Sequence, residues 1–221
     1  MLDILILVPE ITKGMKSLGS KALLKIKNST MVLEYQIEQL RKIEKRHKIF
    51  IGIGFEADKI RKLFVKNSNI EFIQNSEYAE SNQGKIISNF INNYSSDKLL
   101  VISNGIIFKN NPFVCDDQSK IFLLDKPKNH FSIGCHMHNP MEYLFYDLPI
   151  PWTECVFFNR LALDNIKDIS NISKIDQMYL FELINNLIIK YQTNFIPEII
   201  KKKDIMKINN NKDIQKAKLF I

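Results

Sequence analysis

A few stretches of this chain set polar side chains at intervals that chemistry can use. "CHMH", Cys135 to His138, puts His136 and His138 two apart. An extended strand would turn both imidazoles to one face with Cys135 opposite, the beginning of a zinc site. No third and fourth ligand stand at a recognisable spacing, so exposed or packed strand residues are the plainer reading, and His130 and His47 have less to recommend them. "ESNQGK" brings Asn82, Gln83 and Gly84 together just before a helical pattern. Their groups are able to read the edge of a base, or Asn82 simply caps a helix. Trp152 with Glu154 follows Pro149 and Pro151; an aromatic face there can hold a sugar ring or a cation, and a core plug explains the tryptophan equally well. The aromatic run "MEYLFYDLPIPW" is either a docking surface or core. No GxSxG elbow occurs, and "NGII" and "GIG" are too short for a dinucleotide fingerprint.

The elements that would position these groups point to an α/β framework. The 221 residues are 45% hydrophobic and 25% charged, the balance of a soluble globular protein with a sizeable core. One domain over residues 1–221 is expected. "LDILILV" reads as a central parallel strand. "STMVLEYQIEQLRKIEKR" reads as a helix capped by Ser29 or Thr30, with apolar Val32, Leu33, Ile37, Leu40 and Ile43 at helical spacing. Strand "KIFIGIGF", helix "EADKIRKLFV", strand "IEFIQN", a helix through "IISNFINNY" and strand "DKLLVIS" continue the alternation, which implies a parallel sheet with right-handed crossovers. Between about 121 and 158, short segments separated by prolines read as a small antiparallel insertion. A helix "IDQMYLFELINNLIIKY", a strand "DIMKI" and a last helix "NKDIQKAKLFI" complete the chain.

Cys115, Cys135 and Cys155 form no CxxC pair, and their odd number speaks against a disulfide framework. The net charge of +7 comes from lysines spread along the whole chain, which favours a nucleotide or phosphosugar over nucleic acid as anionic partner, and a solvated surface over either. No stretch approaches the roughly 20 apolar residues of a membrane span, and "MLDILILVPE" lacks the basic flank of a signal peptide. A cytoplasmic location is the resulting expectation. The oligomeric state is not legible.

The order of these elements, with "MKSLGSKALLKI", "MVLEYQIEQL", "IFIGIGFEADKIRKLF", "LLVISNGIIF", "WTECVFFNRLALDNI" and "IMKINNNKDIQKAKLFI", resembles the nucleotidyltransferases of the GT-A-like fold over nearly the whole chain. That family joins a nucleoside triphosphate to a sugar phosphate or phosphocholine and releases pyrophosphate. The resemblance implies a three-layer α/β/α architecture with a mainly parallel mixed sheet, and nucleotide contacts from Pro9, Lys13, Lys21, Asn82, Gln83, Gly84, Asn104 and Gly105. It implies acceptor contacts from Trp152 and Glu154, with Lys21 the candidate catalytic residue, a point charge suited to phosphate.

The same match shows where the chain departs from the family. The GxGxR loop, whose glycines and arginine receive the triphosphate, falls on Glu10, Thr12 and Gly14. A carboxylate there repels a triphosphate, since a unit charge pair near 4 Å is worth about 4 kcal/mol at an effective dielectric of roughly 20. Lys13 or Lys16 would offset part of this. The two aspartates that hold Mg²⁺ fall on Ile106, which has no lone pair, and Asn209, which offers one neutral oxygen. Asp116 and Asp117, ten residues on beyond Pro112, and Asp213, one turn into the last helix, would each need a different backbone path to take their place. Two functions follow as expectations: a degenerate relative that keeps the fold as a ligand-binding or scaffold module, or an active nucleotidyltransferase using Mg²⁺ in cell-surface glycan synthesis. Changes at the phosphate loop and at both metal positions favour the first.

Overall fold

The computed structural model of the protein describes residues 1–8, 19–27, 29–43, 46–65, 69–125, 133–172 and 174–221. Pro9, Glu10, Thr12, Lys13, Gly14 and Lys16 of the expected phosphate loop, and His130, lie outside the described residues.

The chain begins with β1 (Leu2–Val8), buried along its whole length. A 3-10 turn over Lys21–Leu23 leads to β2 (Lys25–Lys27), β3 (Thr30–Met31), α1 (Val32–Arg41), β4 (His47–Ile53), α2 (Ala57–Leu63), β5 (Ile70–Gln74), α3 (Gln83–Asn93) and β6 (Lys98–Ser103). β7 (Ile106–Phe108), β8 (Lys120–Leu124), β9 (Ile133–Cys135), β10 (Phe145–Tyr146) and β11 (Ile150–Asn159) follow. The last elements are α4 (Arg160–Ile172), α5 (Leu180–Tyr191), β12 (Ile196–Ile200), β13 (Ile205–Lys207) and α6 (Asn211–Phe220).

Among the described residues one nine-stranded sheet has the order β10-β9-β11-β6-β1-β4-β5, with β8 pairing β11 and β12. The strands β6, β1, β4 and β5 are mutually parallel, as helical crossovers require. β11 runs antiparallel to β6, β8 and β9, so the short strands of the 121–158 region join the edge of a parallel centre. Alternation along β1 sends Leu5 and Leu7 to a core shared with α3, α4 and α5, and Ile4, Ile6 and Val8 to a core shared with α1 and α2. Helices therefore cover both faces, giving the expected three layers. No helix among the described residues is long and apolar enough to cross a membrane.

Local boundaries differ from expectation for identifiable reasons. Neither Ser29 nor Thr30 caps α1: the chain stays extended through Met31 because β3 pairs with β2, and Glu34 reaches back to accept the Met31 N–H at 2.8 Å. The helix expected from Ile175 begins only at Leu180, because residues 175–178 turn their carbonyls toward α3. α4 is the long element not anticipated, although Ala162, Leu163, Ile166 and Ile169 have helical spacing and are buried. Asn159 Oδ1 accepts the Ala162 N–H and starts it.

Candidate functional site

In parallel α/β sheets the carboxyl ends of the strands gather loops from different parts of the chain. Here Leu7 of β1 lies in register with Ser103 of β6, and beyond Ser103 the chain turns at Asn104 and Gly105 into β7. Gly105 has φ +79°, and a Cβ on it would stand 2.9 Å from Lys21 Cδ and 3.1 Å from the Ile208 carbonyl oxygen. Only glycine meets both demands. Lys21 is 8% exposed and lies along this turn. The Ile208 N–H donates to the Gly105 carbonyl at 2.9 Å, which brings the segment before Asn209 to the same place. These contacts bring Lys21, Asn104, Gly105 and Ile106 together with the segment that leads to Asn209.

The turn and two segments that contact it, α1 and the one carrying Lys21, hold polar atoms without a partner among the described residues. Ser20 Oγ, Gln36 Oε1 and Asn104 Oδ1 are buried and find no hydrogen-bond partner among the described residues. Gln36, wholly buried on α1, uses its Nε2 to donate to the Ile106 carbonyl. A buried acceptor without a donor costs about 1–3 kcal/mol, so such a group is ordinarily answered by a water, an ion or a ligand.

Ile106 itself is 0% exposed and packs in the core with Ile102, Phe108, Cys155 and Ile205. Its cross-strand partner is Lys207. The bonds from Ile208 N–H to Gly105 and from Lys109 N–H to Asp204 mark the bonded positions of the β7–β13 ladder. Ile106 and Lys207 therefore form a non-hydrogen-bonded pair, whose side chains share a face at closest approach. The Lys207 ammonium makes an ion pair with Glu154, the two side chains being 13% and 19% exposed. Glu154 reaches it from a left-handed conformation, φ +59°, where β11 loses register between Trp152 and Val156. Bulges of this kind re-aim a side chain.

These residues do not fit a divalent metal. Ile106 offers no donor atom, and an ammonium occupies the same face. Asp213, 1% exposed, is committed to the start of α6: its Oδ2 accepts the Asn209 N–H at 3.0 Å and its Oδ1 pairs with Lys216 at 3.2 Å. Asn210 caps the same helix through Lys212 and Asp213 N–H groups. Asp116 pairs with Lys120, and Asp117 pairs with Lys98 at the opposite end of β6. No group of three or more His, Cys, Asp or Glu side chains suited to a metal exists among the described residues.

Asn82, Gln83 and Gly84 form a second group, held by residues 175–180. The Asn82 N–H donates to the Asp176 carbonyl at 2.8 Å and the Gly84 N–H to the Met178 carbonyl at 3.0 Å. Asn82 Nδ2 donates to the Gln177 carbonyl, and Gln83 Oε1 accepts the Leu180 N–H. Lys85 adds ion pairs to Asp176 and Glu77. A Cβ on Gly84 would stand 2.0 Å from the Ile175 carbonyl oxygen. The amides expected to read a base edge are engaged in this joint, and the Asn82 side chain does not cap α3.

Trp152 takes the core alternative: it is 2% exposed, with its indole N–H donating to the Cys155 carbonyl at 2.8 Å. An aromatic face for an acceptor is not presented by it. The strand expected through "CHMH" ends at Cys135; His136 and His138 are exposed beyond it, and His138 Nδ1 pairs with Glu142. Of the aromatic run, Met141, Leu144 and Trp152 are core, while Tyr143, Phe145 and Tyr146 are exposed. The cysteines are buried free thiols. Burial pushes the Cys155 thiol far up, leaving it inert.

Lys207, Gln36 and Glu56 were not singled out by the sequence. Glu56 accepts the Ser20 N–H at 2.7 Å and pairs with Lys59, and its carboxylate fills the space a side chain at Gly19 (φ +78°) would need. Burial alone would raise its pKa; the Lys59 and Ser20 hydrogen bonds outweigh that and hold it below the ordinary value of 4.5. Lys207 did leave a signal, being a lysine that alternation places on the same face of β13 as buried Ile205.

No protein-family model matches the chain, and no curated protein matches it by sequence. Its likenesses are structural. CTP:phosphocholine cytidylyltransferase (LicC) from Streptococcus pneumoniae matches with a TM-score of 0.77 at 16% identity, over 99% of this chain and 98% of that one. HddC from Yersinia pseudotuberculosis matches at 0.75 and 16%, over 99% of each chain. The inositol-1-phosphate CTP transferase from T. maritima matches at 0.75 and 10%, over 99% and 95%. The chain has the nucleotidyltransferase fold.

Proposed function

We propose that this protein is a nucleotidyltransferase-fold module that binds a phosphorylated small molecule and has lost metal-dependent nucleotidyl transfer. The observation that carries the reading is the pair Ile106 and Lys207: a wholly buried hydrophobe and an ammonium share the face on which the family resemblance places Mg²⁺. Transfer to a phosphorylated acceptor builds charge that the family disperses through a cation held by carboxylates. Asn209 and the committed Asp213 do not replace those carboxylates.

Retention of a ligand is supported by Lys21 against Gly105, and by the unpartnered acceptors on Ser20, Gln36 and Asn104. The names of the structural relatives favour a nucleotide or the phosphate ester of a small alcohol or sugar as ligand class. The test is calorimetric titration of CTP and UTP with and without Mg²⁺, alongside an assay of pyrophosphate release with phosphocholine, inositol 1-phosphate and sugar phosphates. Binding without release is expected. Metal-dependent release would overturn the loss of catalysis and establish an active transferase.

A further inference from the structure

We infer that Lys207 is the resident cation of this site, an ammonium held in reserve by Glu154 that binds the phosphate of the ligand with no divalent metal. The inference rests on the ligand-binding reading above and names the group that would do the binding.

Position comes first. Lys207 shares a face with Ile106 at the closest type of cross-strand pair, so its stem runs beside the site's apolar floor. A lysine kept there loses hydration, and the ion pair with Glu154 compensates for it in the absence of ligand. The geometry of Glu154 is the independent observation. A glutamate held at φ +59° costs conformational energy, and the register irregularity around it breaks an otherwise regular ladder. Both distortions have the same consequence, which is to aim one carboxylate at Lys207.

Chemistry comes next. Lys207 and Lys21 supply fixed positive charge around the Asn104–Gly105 turn, while Ser20 Oγ, Gln36 Oε1 and Asn104 Oδ1 want donors. A ligand with a phosphate and several hydroxyl or amino groups answers both demands. Phosphate oxygens exchange with the Glu154 carboxylate for Lys207 as one anion for another, so no metal has to bridge them. A divalent cation on this face would instead meet the ammonium at short range.

The experiment uses the full chain with CTP and inorganic pyrophosphate as probes, titrated in EDTA and in Mg²⁺ for wild type, Lys207→Met, Lys207→Arg and Glu154→Gln. Binding should persist in EDTA at least as tightly as in Mg²⁺. Lys207→Met should weaken it by about tenfold to a hundredfold, the size of a charge-assisted hydrogen bond. Lys207→Arg should restore most of the loss, and Glu154→Gln should tighten binding by about threefold, because a competing anion is gone. If Lys207→Met does not fold, the volume-conserving Glu154→Gln decides: tighter binding supports the assignment and unchanged or weaker binding overturns it. Binding that needs Mg²⁺, that ignores Lys207→Met, or that is absent for both probes also overturns it. Those outcomes leave the loss of catalysis standing unless pyrophosphate is released from CTP, which is scored separately in the presence of phosphocholine or a sugar phosphate.

Discussion

The β6–β7 turn and the N-terminus of α3 are both places where the family resemblance put ligand-binding residues, and the chain treats them in opposite ways. At α3 the polar groups of Asn82, Gln83 and Gly84 are engaged with residues 175–180, and the glycine admits a carbonyl where no side chain fits. Around the β6–β7 turn, Ser20, Gln36 and Asn104 keep buried acceptors unpartnered among the described residues, and Lys21 and Lys207 bring positive charge. A joint satisfied from within contributes to stability, whereas unpartnered buried groups cost stability and are explained by what they bind. Location near a family site is therefore a poor guide to function; the state of the hydrogen bonds is a better one.

The contrast is broken most directly at Gly84. Gly84→Ala should destabilise the protein by about 4 kcal/mol in urea unfolding, because a backbone carbonyl has little room to yield. A change below about 1 kcal/mol would mean the joint is loose. The next effect is at the turn: Ile106→Asp should cost about 3 kcal/mol by burying a carboxyl in an apolar cluster. Combined with Asn209→Asp it should still give no pyrophosphate release in Mg²⁺, since Glu10, Thr12 and Gly14 still stand where the family resemblance expects the GxGxR loop. Turnover by that double variant would refute the proposed loss of function.

Smaller effects sharpen the comparison. Ser20→Ala removes an unpartnered hydroxyl and should be neutral or stabilising by about 1 kcal/mol in the free protein, while weakening CTP binding. Equal losses in stability and binding would show that the hydroxyl is already satisfied. Glu56→Gln should cost about 1 kcal/mol at neutral pH. The folded carboxyl has a lowered pKa, so its stabilisation is present above the ordinary value of 4.5 and disappears as pH falls through the lower folded value. Melting curves of wild type and Glu56→Gln should converge in acid, and a gap that persists there would assign the effect to packing.

Much of the framework is written locally. β1, β6 and the main stretches of α1 and α5 follow from apolar runs and helical spacing, because burial on one or both faces leaves a periodic trace. The family resemblance also named Lys21, Gly105, Ile106 and Asn209, and the contacts of Lys21 and Ile208 with Gly105 put the segments that carry them side by side. What the sequence hides depends on contacts between distant residues. Nothing around Glu154 announces a left-handed glutamate, and its partner Lys207 is 53 residues away. The fate of Asn82 to Gly84 was likewise hidden, because the carbonyls that engage them belong to a segment whose periodicity reads as helix. Trp152 was open for the same reason: one tryptophan after two prolines has no period, and its burial and its bond to the Cys155 carbonyl fix its place.

The joint at α3 has a kinetic consequence. The first amides of a helix ordinarily have no intrahelical acceptor and exchange their protons with water quickly. Those of Asn82 and Gly84 donate to carbonyls almost a hundred residues further along the chain, between α4 and α5. They can exchange only when the two parts of the chain come apart. In deuterated water these two amides become a clock for that separation, slower than their position in the helix would suggest and as slow as the joint is firm.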